Sequence, residues 1–139
     1  MMKRRVFLAG ALALLPLSAM AGPAMIDFDD SDPIRKALSQ GKTVLVDYAA
    51  DWCSTCAVQE RTIASLRAAD PIYDANVVFV RVDWDKYGRA PVARDRKIPR
   101  RSTLIVLKGN KELGRIVAGT RRADIKALMD KAVAAAKST

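Results

Sequence analysis

Short apolar runs alternate along the chain with segments of helical spacing. Thr43–Ala49, Asn76–Asp83 and Thr103–Leu107 are rich in β-branched residues and predict buried strands. Near the C-terminus the apolar residues recur at i, i+3, i+4, i+7, i+8 and i+11, a spacing that places them on one face of a helix packed against a core. They are Ile125, Leu128, Met129, Ala132, Val133 and Ala136.

Capping and turn residues mark further elements. Asp32-Pro33 predicts the start of a helix that reaches about Gln40, because Asp suits the cap position and Pro the first turn. Residues 53–69 have helical composition and end before Asp70-Pro71. Gly109-Asn110 predicts a turn into a strand at about Glu112–Ala118.

Two segments give weaker signals. Met25–Phe28 predicts a short edge strand, and Lys86–Pro99 is irregular, with one helical turn near Val92–Arg96. Strands that alternate with helices predict a parallel pair, and the closing hairpin adds antiparallel strands. The predicted fold class is therefore α/β, a mixed central sheet with helices on both faces.

Residues 1–21 have the features of a secretory signal peptide. Lys3, Arg4 and Arg5 precede an apolar stretch from Val6 to Leu17, and Ala19-Met20-Ala21 is the small-x-small pattern of a cleavage site. We predict cleavage after Ala21, which leaves residues 22–139 as one periplasmic or otherwise extracytoplasmic domain. The apolar stretch is too short to span a bilayer, so we expect no stable membrane insertion after cleavage. The alternative is a buried N-terminal helix.

The export route has two candidates. Arg4-Arg5-Val6-Phe7-Leu8 resembles the twin-arginine export signature, but the segment before the arginines is very short. We therefore favour the general secretory route. Export places the domain in an oxidising compartment.

Composition narrows the chemistry. The 139-residue chain has 24 Lys and Arg, 15 Asp and Glu and no His, which gives a formal charge of +9. Without His, His-ligated metal sites and Ser-His or Cys-His catalytic pairs are excluded. Two cysteines allow at most one intrachain disulfide.

A basic segment at residues 86–101 holds much of the excess charge, with only Asp95 opposing it. Its members are Lys86, Arg89, Arg94, Arg96, Lys97, Arg100 and Arg101. Beside an active site it would attract acidic partners; the alternative is a solvated loop. We expect no nucleic acid, because export removes the chain from that compartment and no aromatic stacking pattern accompanies the charges.

Both cysteines lie in Trp52-Cys53-Ser54-Thr55-Cys56, between a predicted strand and a predicted helix. At this spacing a helical start brings the two sulfurs within bonding distance, and the pattern indicates a redox motif. The free N–H groups and dipole of the helix favour a thiolate at Cys53, whereas Cys56, one turn inside, should be more buried and less reactive.

Two other interpretations of the pair stay open. The first is an inert stapling disulfide, although closing a loop this short removes little chain entropy. The second is half of a metal site. Because two thiolates cannot complete a tetrahedral zinc site, a metal would need an outside thiol or the Cys-x-x-Cys of a second subunit.

The segments around these cysteines resemble the thioredoxin family. Val44–Cys56 is similar to the active-site segment of thioredoxins, and Phe79–Asp85 to the next central strand. Thr103–Lys108, with the turn after it and Gly119, is similar to the closing hairpin. Ala-Asp-Trp-Cys followed by Glu60 is similar to the periplasmic C-terminal domain of the thiol:disulfide interchange protein. The resemblance implies the thioredoxin fold.

The resemblance also implies roles for individual residues. Cys53 matches the attacking thiolate, Cys56 the resolving thiol and Asp47 the buried aspartate of the family. The residues agree, because an Asp inside an apolar strand is desolvated and has a raised pKa; the alternative is a strand-end Asp that faces water. Arg81 matches an often basic position near that aspartate, or else is an exposed strand residue. Trp52 matches a tryptophan that shields the site, and core packing is its other reading.

The chain departs from the family in two places. Counting back from the hairpin, Ser102, which precedes Thr103, occupies the position of the family's cis-proline. Since a cis bond before a non-proline residue costs about 2.5–4 kcal/mol, we predict a trans Arg101–Ser102 peptide, with the loop displaced or hydrogen-bonded through the hydroxyl. The second departure is Thr55, since oxidases and isomerases of the family usually carry His before the second cysteine.

The sequence therefore predicts an exported, monomeric thiol–disulfide oxidoreductase that reduces disulfide-containing partner proteins. It implies no organic cofactor, and a membrane thiol relay as electron donor. The alternatives are a thiol oxidase or isomerase of the same fold, and a non-enzymatic dimer that holds zinc or an iron–sulfur cluster through paired Cys-x-x-Cys motifs.

Overall fold

The computed structural model describes residues 24–138, so the predicted signal peptide lies outside the described residues. The elements in chain order are β1 Ile26–Asp27, α1 Pro33–Ser39, β2 Thr43–Ala49, α2 Ser54–Ala69, α3 Ile72–Asn76, β3 Val77–Asp83, α4 Trp84–Tyr87, α5 Pro91–Arg94, β4 Thr103–Lys108, β5 Lys111–Val117 and α6 Arg122–Lys137. Within this range, no helix combines the length and apolar character that crossing a bilayer requires.

The strands form one mixed sheet in the order β1-β3-β2-β4-β5. β3 runs parallel to both of its neighbours, β1 and β2, whereas β4 is antiparallel to β2 and to β5. The predicted parallel pair is therefore β2 with β3, and the predicted hairpin is β4 with β5. The mixed sheet expected from the sequence is confirmed.

Helices cover both faces of the sheet, and β2 supplies the core on each side. Its side chains alternate between faces because a strand has a period of two. Val44 and Val46 pack with residues of α1 and α5, whereas Leu45 packs with residues of α2, α3 and α6. By the same alternation Asp47 lies on the face that α2 covers.

Two short helices differ from the prediction. The sequence indicates neither α3 nor α4, because four or five residues are too few to display a helical period. Asp83 caps α4, since its Oδ1 accepts a hydrogen bond of 3.0 Å from the N–H of Asp85. The turn predicted near Val92–Arg96 is α5, which begins one residue earlier, at Pro91.

Gly88 is a position where a side chain has no room. A Cβ there would lie 2.6 Å from the carbonyl oxygen of Trp84 and 2.9 Å from its ring. We expect Gly88→Ala to lower the free energy of unfolding by about 1–3 kcal/mol, as overpacked cores do. Urea unfolding measures this change. Arg89→Ala, at the next and exposed position, should stay within about 0.5 kcal/mol of wild type, and equal losses for the two variants would contradict the packing at Gly88.

Candidate active site

The two cysteines are held at the first turn of α2. Cys53 occupies the N-cap position, one residue before the helix, and its Sγ accepts a 3.2 Å hydrogen bond from the N–H of Cys56. The two residues form a disulfide with their Cα atoms 5.3 Å apart. Sγ of Cys53 thus lies at the positive end of the helix, where a thiolate is stabilised.

The cysteine pair is mostly enclosed. Cys53 is 5% exposed and Cys56 only 1% exposed, which agrees with the expectation that Cys56 is the more buried. Both pack with Ala49 and Ala50, and Trp84 lies against this cluster. Sequence reasoning missed Trp84, because it follows a strand far along the chain and only the tertiary fold brings it to the site.

Trp52 lies at the surface, with 61% of its area exposed, so the alternative that it packs in the core is excluded. Its ring stacks under the guanidinium of Arg101, 4.3 Å from the ring centroid. Its Nε1 donates a 2.9 Å hydrogen bond to Asp85. Two surface contacts therefore fix Trp52 beside Cys53, where the side chain is open to a partner.

Asp47 is fully buried, as expected, so the alternative of a water-facing strand end is excluded. Among the described residues neither carboxyl oxygen has a hydrogen-bond partner. Burial, together with the nearby carboxyl of Glu60, raises the pKa of Asp47 well above its usual value. Glu60 follows Cys56 by four residues, one helical turn, so both lie on the same side of α2.

Arg81 connects this buried carboxyl to the surface. Arg81 lies on β3 directly opposite Asp47 on β2 in the sheet register. Its Nε donates a 2.8 Å hydrogen bond to the Glu60 carboxylate, and its Nη2 donates a 3.0 Å hydrogen bond to the Asp51 carboxylate. Its side chain is 19% exposed, which excludes the interpretation as an exposed strand residue. The positive charge of Arg81 lowers the pKa of Asp47, but burial and Glu60 outweigh it.

Ser102 lies against the disulfide. The described residues contain no cis peptide bond, so the predicted trans bond before Ser102 is confirmed. Its hydroxyl lies 3.1 Å from Sγ of Cys53 and 3.1 Å from Sγ of Cys56. Thr103 begins β4, and its hydroxyl donates to the carbonyl of Arg100 at 2.7 Å, so it contacts the loop rather than the sulfurs.

Gln59 is a buried polar residue that sequence reasoning missed. Its Nε2 donates to the carbonyl of Ser102 at 3.0 Å and to that of Gly119 at 2.9 Å. A glutamine in a helix is ordinarily exposed, so no local signal distinguishes it. The structure makes it a bridge from α2 to the loops before β4 and after β5.

The basic segment reaches the site only at its end. Arg101 stacks on Trp52, whereas Arg96 lies beside Arg115, which donates to its carbonyl at 2.7 Å. Lys86 lies over the ring of Tyr87, 5.0 Å from its centroid, and its pKa is raised first by Tyr87 and then by the carboxylates of Asp30 and Asp83. Arg101, the last residue of the basic segment, is thus the member that contacts Trp52 beside the cysteines.

The described part of the chain has no group of three or more His, Cys, Asp or Glu side chains arranged to hold a metal ion. A metal at Cys53 and Cys56 would therefore need further donors from outside these residues. The site as it stands contains two sulfurs within bonding distance, which are the groups that thiol–disulfide exchange requires.

Comparisons with known proteins agree with this chemistry. The family model described as thioredoxin-like matches residues 26–105. Thioredoxin H-type of Fagopyrum esculentum is 30% identical over 95 residues, covering 68% of this chain and 76% of that protein. Trxlp from Edwardsiella tarda EIB202 superposes with a TM-score of 0.64 at 28% sequence identity, and the match covers 76% of this chain and 98% of that chain. Thioredoxin NaTrxh from Nicotiana alata superposes with a TM-score of 0.62 at 26% sequence identity, and the match covers 82% of this chain and 96% of that chain.

The chain belongs to the thioredoxin-like family. Its Cys-x-x-Cys pair makes it a thiol–disulfide oxidoreductase, and the predicted thioredoxin fold is confirmed.

Replacing Asp47 with Asn should stabilise the oxidised protein at neutral pH. Because the folded state raises the pKa of Asp47, the carboxyl ionises more easily in the unfolded chain, where an Asp pKa is about 3.9. Below that pH the Asp47 carboxyl is protonated in both the folded and the unfolded protein, so wild type loses no stability. As the pH rises toward the folded pKa, wild type loses about 1.4 kcal/mol of stability per pH unit, and the loss is constant above it.

Urea unfolding at two pH values checks this. D47N should exceed wild type near neutral pH and approach it near pH 3 to 4, whereas Ser65→Ala, an exposed change that removes no ionisable group, should show no such gain. An equal gain for D47N at both pH values would show that its effect is not one of ionisation.

Proposed function

We propose that the protein is an exported thiol–disulfide reductase that reduces disulfide bonds of partner proteins outside the cytoplasm. The observation that carries the proposal is the Cys53–Cys56 pair at the start of α2, on a sheet face that also holds the buried carboxyl of Asp47. Membership of the thioredoxin-like family supports it.

The first step uses the more exposed of the two sulfurs. In the reduced protein, the Cys53 thiolate attacks one sulfur of a partner disulfide. A Cys53–partner mixed disulfide forms, and the partner's other sulfur leaves as a thiolate that takes a proton from water. The cap position of Cys53 stabilises its thiolate, because the N–H of Cys56 donates a hydrogen bond to its Sγ.

The second step releases the partner. Cys56 attacks Sγ of Cys53, the Cys53–Cys56 bond forms, and the mixed disulfide breaks. The partner leaves with the electron pair and is protonated, so the two cysteines are oxidised as the partner disulfide is reduced. Cys56 must first lose its proton, and at 1% exposure it has little access to water.

Asp47 is the proposed acceptor of that proton. The raised pKa of the Asp47 carboxyl lies closer to the pKa of a thiol. Proton transfer from the Cys56 thiol to this carboxyl is therefore more favourable. Glu60 lies one turn from Cys56 and is bonded to Arg81, which also reaches the exposed Asp51. Arg81 keeps its proton throughout, so its part is to hold the Glu60 carboxyl in place beside the site.

The direction of electron flow is inferred from what contacts Cys53. Its Sγ is bonded to the N–H of Cys56 and lies beside the hydroxyl of Ser102, and neither group is charged. The chain has no His to stabilise the thiolate. Because stabilising the reduced form makes a couple more oxidising, weak stabilisation favours a reductant.

The location and the electron donor follow from the export proposal. The basic start, apolar stretch and small-x-small pattern of residues 1–21 support export. A reductase outside the cytoplasm is beyond the reach of the cytosolic glutathione and thioredoxin systems. We therefore propose a membrane thiol relay as donor, and disulfide-containing proteins as substrates of a monomeric enzyme.

Exchange of the two cysteines for serine separates the proposed steps. Wild type should catalyse insulin reduction by dithiothreitol, and Cys53→Ser should abolish catalysis because the attacking sulfur is gone. Cys56→Ser should accumulate a mixed disulfide through Cys53, visible on non-reducing gels and by mass. Ser65→Ala, exposed on the same helix, serves as the control with wild-type activity. An inactive wild type that carries stoichiometric metal would favour the metal-holding dimer instead.

Expression of the full chain in a Gram-negative bacterium tests export. The periplasmic fraction should contain a product whose mass begins at Gly22. Replacing Leu14 and Leu15 with Arg interrupts the apolar stretch and should retain the chain in the cytoplasm. Conversion of Arg4 and Arg5 to Lys should leave export intact by the general secretory route and stop it by the twin-arginine route. An uncut wild-type product in the cytoplasm would contradict export.

A further inference from the structure

The hydroxyl of Ser102 contacts both reactive sulfurs at once. Its Oγ lies 3.1 Å from Sγ of Cys53 and 3.1 Å from Sγ of Cys56, and the side chain is fully buried. A serine hydroxyl has one proton to donate and rotates about its C–O bond. It can therefore donate to either sulfur without any movement of the oxygen.

The backbone at Ser102 is held in a conformation that residues other than glycine rarely adopt. Its φ is 63°, in the left-handed region. Both of its main-chain groups are hydrogen-bonded. The N–H of Ser102 donates to the main-chain carbonyl of Tyr48 at 2.7 Å, and the carbonyl of Ser102 accepts from the N–H of Ala118 at 2.8 Å. Such conformations persist where the surroundings over-determine them, and they cluster at active sites.

Gln59 adds the contact that sets the distance between Ser102 and the sulfurs. It lies on α2, the helix that carries the cysteines, and its Nε2 bridges the carbonyls of Ser102 and Gly119. Because Gln59 and both cysteines belong to one helical segment, this bridge ties the backbone of Ser102 to the helix that holds the sulfurs.

We propose that Ser102 is a catalytic residue that donates its hydroxyl hydrogen bond to whichever cysteine sulfur is negatively charged, and that Gln59 is the residue that positions it. The inference rests on the reaction proposed above. In the reduced protein the charge lies on Cys53. In the mixed disulfide Cys53 is bonded to the partner and the charge appears on Cys56, which forms its bond to Cys53 as the partner sulfur leaves with the electron pair.

A hydroxyl in this place acts unequally on the two redox states. Hydrogen bonds to charged acceptors are about twice as strong as those to neutral ones, and a disulfide sulfur is a weak neutral acceptor. Ser102 therefore stabilises the reduced protein more than the oxidised protein. Loss of the hydroxyl should reduce the fraction of Cys53 that is ionised and make the couple more reducing.

Ser102→Ala and Ser102→Gly test the hydroxyl separately from the backbone. Both remove it, while glycine alone relieves the left-handed φ. The probe is the rate at which iodoacetamide alkylates Cys53 as a function of pH. We expect both variants to move the midpoint up by about one pH unit, a tenfold loss of thiolate below the midpoint. A tenfold change in the redox equilibrium is a fall of about 30 mV in potential.

Thr43→Val is the matched control. It removes another buried hydroxyl, at the opposite end of β2 from the site, and should leave the alkylation profile unchanged. If the two Ser102 variants keep the wild-type profile while their stability changes, Ser102 is only a spacer and the proposal fails. If alanine and glycine shift the midpoint in opposite directions, the backbone and not the hydroxyl sets it, which also overturns the proposal.

A double-mutant cycle tests Gln59. Gln59→Met keeps the length of the side chain and loses both hydrogen bonds. It should shift the alkylation midpoint in the same direction as Ser102→Ala, and the double variant should shift it no further than Ser102→Ala alone, because Gln59 acts through that hydroxyl. Additive shifts would contradict the positioning role, since a merely structural role has no reason to couple to the hydroxyl.

These outcomes are separate from failure of the proposed function. An alkylation-reactive wild-type Cys53 that reduces insulin, together with unchanged Ser102 variants, removes the inference and leaves the reductase in place. A wild-type Cys53 that is unreactive at neutral pH removes both.

Discussion

The free N–H groups at the start of α2 are the interaction on which the rest of the site depends. They hold Sγ of Cys53 at the cap position, and this fixes where a thiolate is stable. The same helix also places three further residues of the site on one side, because residues three and four apart share a face. Those residues are Cys56, Gln59 and Glu60.

The buried carboxyl of Asp47 lowers the stability of the folded protein. An unpartnered polar group in the interior is unfavourable, and Glu60 adds a second acidic group beside it. Arg81 compensates in part through Glu60 and Asp51. The arrangement does not add stability, and it agrees with the proposed role of Asp47 as a proton acceptor.

The sequence predicts those features whose signals are local. The continuous apolar run of β2 is enough to expect Asp47 inside, and the spacing of Cys53 and Cys56 is enough to expect a redox pair. The helices α3 and α4 were missed because they are shorter than any period that reveals a helix. Trp84 and Gln59 were missed because only contacts between distant segments distinguish them from ordinary surface residues.

The direction of catalysis depends on the reduction potential of the Cys53–Cys56 couple, which is measured by equilibration with glutathione or dithiothreitol buffers and trapping with an alkylating agent. We expect one two-electron couple close to the thioredoxin value of about −270 mV. A potential at or above about −180 mV, the level of protein disulfide isomerase, would contradict the reductase and make the protein an oxidant of its partners.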